Sequence, residues 1–101
     1  LELLANVKAF HWKTRSYSEH ISSDRLYTDL GLHVDQFVEV FLGKIGSRPT
    51  YGSIRLHAKF DAYLKTMEKK LLHLTLDTDL ASLRDQIVAD LNQYLYLASF
   101  H

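Results

Sequence analysis

From Ser16 to Gly43 the chain carries one amphipathic pattern, unbroken by proline and bounded by a turn signal at each end. Leu26, Leu30, Val34, Phe37 and Phe41 recur at three- and four-residue intervals, the spacing that aligns one face of an α-helix. Ser16 followed by Glu19 has the form of a capping box, which satisfies the free amides of a first helical turn. Gly43 is the expected stop, because glycine is the usual residue just past a helix end. Residues 17–43 therefore read as one helix, about 40 Å long at a rise of 1.5 Å per residue. A helix of that length with a continuous apolar stripe needs partners along its whole length, and this decides the class of fold.

The rest of the chain supplies such partners. Residues 1–14 read as a first helix, with Leu3, Leu4, Val7, Phe10 and His11 on one face, but it is only about 21 Å long. The mismatch predicts either that the start of helix 1 is missing, since the sequence opens at Leu1 inside the pattern, or that another subunit covers part of helix 2. Residues 44–53 hold two of the four glycines and the only proline and read as a crossover loop. A third helix is expected over 54–74 on Leu56, Phe60, Tyr63, Leu64, Met67, Leu71 and Leu74. Asp77, Thr78 and Asp79 offer N-caps for a fourth, running to about residue 99 on Leu80, Leu83, Ile87, Leu91, Tyr94 and Ala98. With no strand pattern, the expectation is all-α: an antiparallel four-helix bundle, a single domain over 1–101, with one longer crossover between helices 2 and 3.

Charge and composition narrow the function. Twelve Lys and Arg balance twelve Asp and Glu and are scattered along the chain, so no long-range field gathers nucleic acid or anionic membrane. Neither is expected as a partner. The absence of cysteine removes disulfides and thiolate chemistry, and with no signal peptide or spanning segment it points to a cytoplasmic protein. No glycine-rich phosphate loop or nucleophile motif is present.

What stands out chemically is a set of imidazoles and carboxylates between His11 and Glu39. At about 100° per residue, with His20 set at 0°, Asp24 falls near 40°, Asp35 near 60° and Glu39 near 100°. They share a face beside the apolar stripe, which lies at about 240–340°. His11, on the core-facing side of helix 1, is expected to meet His20 across the short turn, with Trp12 sealing the pair. Imidazole and carboxylate together suit iron or another divalent metal such as zinc. Asp24 and Asp35, however, stand about 16 Å apart along the axis, too far to hold one ion. A two-fold axis removes the difficulty by bringing His20 and Asp24 of one chain to Asp35 and Glu39 of its partner, giving two equivalent sites per dimer.

Plainer readings exist for each residue. His11 could be a satisfied core histidine, the acidic residues a solvated face, and Asp24 a partner for Thr28 or Arg25. Glu19 reads as a cap. His33, His57, His73 and His101 show no paired-ligand spacing and read as surface or boundary residues, while Tyr94 and Tyr96 fill the core and its rim.

Taken together, His11-Trp12, His20-x-x-x-Asp24, Asp35-x-x-x-Glu39 and the following Gly- and Pro-containing break resemble the signature of the Dps-like (starvation-inducible, mini-ferritin) branch of the ferritin superfamily. The resemblance covers about residues 1–50; helices 3 and 4 match generically and are also similar to small ferritin-like proteins encoded by large phages and viruses. It implies a ferritin-like bundle and a homodimer through helix 2, with higher oligomers open. It also implies a ferroxidase centre, mono- or di-iron, built from His11, His20 and Asp24 of one subunit and Asp35 and Glu39 of the other. The sequence departs from that family in a shorter His11-to-His20 interval and in a loop after helix 2 too short for the family's extra helix. It also lacks the basic tail with which some members bind DNA. The alternative function is a helical dimerisation or assembly module that keeps the fold without metal.

Overall fold

The computed structural model describes residues 1–100 and is all-helical there, with no strand among the described residues. Four α-helices follow one another: α1 (Glu2–Lys13), α2 (Tyr17–Ile45), α3 (Phe60–Leu72) and α4 (Thr78–Ala98). His101 lies outside the described residues. None of the helices is long and apolar enough to cross a membrane.

Helix α2 starts where its cap predicts. Ser16 takes the N-cap position, and its side chain accepts the Glu19 N–H at 3.3 Å. The carboxylate half of the capping box is absent: Glu19 Oε1 accepts instead from Thr14 Oγ1 at 2.9 Å, tying the helix start to the turn before it. At the other end the expected stop is displaced. Gly43 lies inside the helix, and the chain turns out at Gly46, which has φ 67° and donates its N–H to the Leu42 carbonyl. A right-handed glycine costs a helix about 1 kcal/mol without ending it; left-handed φ at the C-terminus ends it.

The 29 residues of α2 correspond to about 43 Å, the longest dimension of the molecule (43 Å). Its packing partners are α1 and α4, while α3 packs on α4 and on α1. Named contacts fix the register. Lys44 near the end of α2 reaches Asp77 and Asp79 at the start of α4, at 3.5 and 3.1 Å. His33 in the middle of α2 meets Asp90, and Ser22 to Asp29 share a crevice with Asp90 to Leu97.

The core follows the predicted stripes in its centre. Leu3, Val7, Leu26, Leu30, Phe60, Tyr63, Leu64, Ile87, Leu91, Tyr94 and Ala98 form one buried cluster. Phe10 stacks on Phe60 with centroids 4.2 Å apart, and both meet Tyr94 edge-on. The stripe of α2 fades towards its end, where Phe41 is 40% exposed. Tyr96, expected at the rim, is largely in solvent.

The main departure is at helix 3, which begins at Phe60 rather than near residue 54. Asn6, only 3% exposed, explains it: its Nδ2 donates to the Arg55 carbonyl at 2.8 Å and its Oδ1 accepts the His57 N–H at 2.7 Å. The Glu2 carboxylate accepts the Arg55 N–H at 2.9 Å. These side chains of α1 take the backbone groups that a helical turn would otherwise use. The connection therefore runs along α1, from Glu2 to the Phe10–Phe60 stack, and Leu56 is left outside the core. Leu74, placed on the expected helix, lies past its end at Leu72 and is exposed.

Candidate metal centre

The short turn between α1 and α2 returns the chain on itself, so the last turn of α1 lies against the first turns of α2. Here the predicted meeting of His11 and His20 occurs: their rings stack with centroids 3.9 Å apart and planes 19° from parallel. The contact is reciprocal. His11 Nδ1 lies 2.8 Å from the His20 carbonyl oxygen, and His20 Nδ1 lies 3.0 Å from that of His11. Ser23, fully buried, closes the arrangement, with Oγ donating to the His20 carbonyl and standing 3.1 Å from His11 Nδ1.

A carbonyl oxygen only accepts hydrogen bonds. Each Nδ1 must therefore carry the proton, which in neutral imidazole leaves Nε2 with the lone pair. The last carbonyls of α1 lack helical partners, and His20 serves the one belonging to His11. Neither Nε2 has a partner among the described residues. His11 is 9% exposed and His20 is open to solvent.

The carboxylates are placed differently. Asp24, Asp35 and Glu39 are all exposed, and none is in an ion pair or side-chain hydrogen bond among the described residues. Thr28 donates to the backbone oxygen of Asp24 and Arg25 pairs with Asp29, so neither neutralises the Asp24 carboxylate. Asp35 and Glu39 lie on the far half of α2. Among the described residues of one chain, no three His, Asp or Glu side chains converge to hold an ion. The structure thus brings together His11 and His20 and leaves Asp24, Asp35 and Glu39 free. Trp12 does not seal the pair: it is 73% exposed, with Lys8 Nζ 5.7 Å from its ring.

The face of α2 that carries the carboxylates is also unusually apolar for a surface. Ile21, Leu32, Val38 and Ile45 are between 39% and 57% exposed. Gly31 sits among them, and a Cβ added there would meet nothing within 4 Å.

Reading the sequence by ligand spacing missed a second polar pair. His33 Nδ1 bonds to Asp90 Oδ2 between α2 and α4, with Asp90 only 9% exposed. The signal was present, since His33 falls between Leu30 and Val34 and Asp90 between Ile87 and Leu91, both on core-facing stripes. Of the other described histidines, His57 stacks on Tyr63 and His73 lies at the end of α3, both exposed.

Burial pushes the Asp90 carboxyl above its ordinary 3.8, with the Asp29 charge adding to the effect and the His33 bond opposing it. A carboxyl raised in the folded state favours its protonated form there. Its contribution to stability is present below pH 3.8 and is lost as pH rises through the raised native value. Urea unfolding of the wild type and Asp90→Asn from about pH 3 to about pH 7 is expected to show this. Wild-type stability should fall relative to the variant across that rise and then level off; a difference of the opposite slope contradicts the assignment.

No curated protein and no solved structure matches the chain. Residues 11–97 match one family, so the matched span opens on His11 and includes all five residues considered above. The chain belongs to that family, a family of unknown function (DUF5856).

Proposed function

We propose that this chain is an iron-binding, ferritin-like protein that oxidises Fe(II) at a centre shared between two copies of α2. His11, His20 and Asp24 come from one chain, Asp35 and Glu39 from its two-fold partner. The observation that carries this reading is the reciprocal clasp of His11 and His20, whose Nδ1 atoms lie 2.8 and 3.0 Å from carbonyl oxygens. Metal-binding histidines characteristically donate their other ring N–H to a backbone carbonyl or carboxylate, which fixes the tautomer and aims the ring. Here both rings are held in that way with their lone pairs unused.

Two further features support it. The register of contacts sets α1 against α2 and α4 against both α2 and α3 in opposite senses, and the connection before α3 travels the length of α1. These contacts are compatible with a ferritin-like connection, in which one long crossover joins the two halves of the bundle. In an antiparallel pairing that matches residues 20–24 with 35–39, the two-fold axis crosses α2 between Thr28 and Gly31. Thr28 is exposed and Gly31 half-buried, and Gly31 has open space where a side chain would be. A second copy of α2 docking there would take Ile21 and Leu32 out of solvent beside the cavity of about 700 Å³ that Gly31, Asp35 and Val38 line with residues 49–54.

Iron is substrate in this scheme. Each Fe(II) gives one electron to dioxygen or peroxide, and the carboxylates hold the resulting Fe(III) through their charge. A second reading rests on the same clasp: its two hydrogen bonds also lock the α1–α2 turn, as a metal-free assembly module would require. Anaerobic Fe(II) titration of the dimer separates the two. Saturable binding at about two or more irons per dimer, followed by oxidation faster than in buffer, supports the shared centre; no saturable binding refutes it and leaves the assembly module.

A further inference from the structure

The cations that are scattered in the sequence are not scattered in the fold. Ser53, Arg55, His57 and Lys59 of the connection beside α1 line one cleft of about 720 Å³ together with Lys70 of α3. We propose that this cleft is a binding site for a small ligand carrying phosphate groups.

Charge and prior commitments of the lining groups support the assignment. Arg55, Lys59 and Lys70 are exposed and enter no ion pair among the described residues. The one carboxylate in the wall, Glu2, is already engaged: it accepts the Arg55 N–H at 2.9 Å and lies 3.9 Å from His57 Nε2. Three cations thus face one partly neutralised anion. A guanidinium can take two phosphate oxygens at once, and the lysines add point charges around it. The wall is pre-formed, because Asn6 clamps the backbone on both sides of Leu56.

A second observation comes from Tyr63, which lines the same cleft and is 7% exposed. Its ring stacks on His57 at 4.3 Å and holds the imidazole in place. Among the described residues its buried hydroxyl makes no hydrogen bond of full geometry, and the Asn6 side chain is its polar neighbour. Burial and, after it, the Glu2 charge push that hydroxyl up to about 12, with the Asn6 side chain opposing them. The volume suits a single small ligand. The cleft is remote in sequence from the α2 carboxylates, and its assignment stands independently of the iron reading.

The test is a calorimetric titration of the full chain with inorganic pyrophosphate at low ionic strength, repeated with a single-stranded oligonucleotide. The wild type should bind one pyrophosphate saturably. Arg55→Gln/Lys70→Gln should bind at least about tenfold more weakly, given the loss of two charge-assisted contacts. The control Arg48→Gln/Lys65→Gln also removes one arginine and one lysine, but Lys65 lies about 140° around α3 from Lys70; it should retain wild-type affinity. Circular dichroism verifies folding of each variant, and Lys59→Gln replaces the first if it fails to fold. No saturable binding, or equal weakening in the control, overturns the proposal. So does an oligonucleotide that binds while pyrophosphate does not, which would mark an extended nucleic-acid surface.

Discussion

Replacing Leu30 with alanine is expected to lower the free energy of unfolding by about 3–4 kcal/mol, within the range for emptying a fully buried leucine site. Leu30 has no exposed surface and lies in the middle of α2, within the cluster joining α1, α2, α3 and α4. A buried site of this kind relaxes only partly around the cavity that truncation leaves. A domain of this size has a total stability on the order of 5–15 kcal/mol, so the loss is a large part of the whole. Leu32, two residues on and 57% exposed, is the control. Measured below the concentration at which two copies pair, Leu32→Ala should change chain stability by no more than about 0.5 kcal/mol. Urea unfolding measures both; equal effects would mean that α2 is packed on a different face.

The second large effect is on metal and leaves the fold untouched. Glu39→Ala is expected to weaken Fe(II) binding by on the order of 100-fold or more, since even supporting contacts to a metal site are worth 10–100-fold. Glu39 is exposed and without a hydrogen-bond or ion-pair partner among the described residues, so its removal should leave the unfolding curve in place. His11→Ala is a poorer probe. His11 also holds the His20 carbonyl and contacts Ser23, and its loss would weaken the turn as well as the site. Anaerobic titration of Glu39→Ala beside the wild type reads the effect directly; unchanged affinity would remove Glu39 from the centre.

Local signals in the sequence carried some features of this structure and not others. The Ser16 cap, the central stripe of α2 and the meeting of His11 with His20 depend on neighbours within a few turns, and all are present. Residues 54–59 were different, because Leu56 kept helical spacing with Phe60 while a distant side chain, Asn6, claimed the backbone groups at Arg55 and His57. Gly43 and Gly46 are equally good stops on paper; the choice of Gly46 rests on its left-handed φ. The His33–Asp90 pair joins residues 57 apart in sequence, and only the docking of α4 on α2 brings them together. The basic cleft was hidden for a related reason: its cations come from an extended segment and a helix, whose periodicities differ.

The claim that one centre is built from two chains is tested most directly by mixing two defective variants. Asp24→Ala damages the end that carries His11 and His20 and leaves their clasp in place, and Glu39→Ala damages the other end. Each alone should bind iron only at background level and show no accelerated oxidation. After co-refolding of equal amounts, half of the dimers should be mixed, each with one complete and one doubly damaged site. About a quarter of the wild-type sites should therefore return, as random two-fold assembly requires. Recovery near that fraction is the predicted result. A mixture no better than its two components would contradict a centre shared across the dimer.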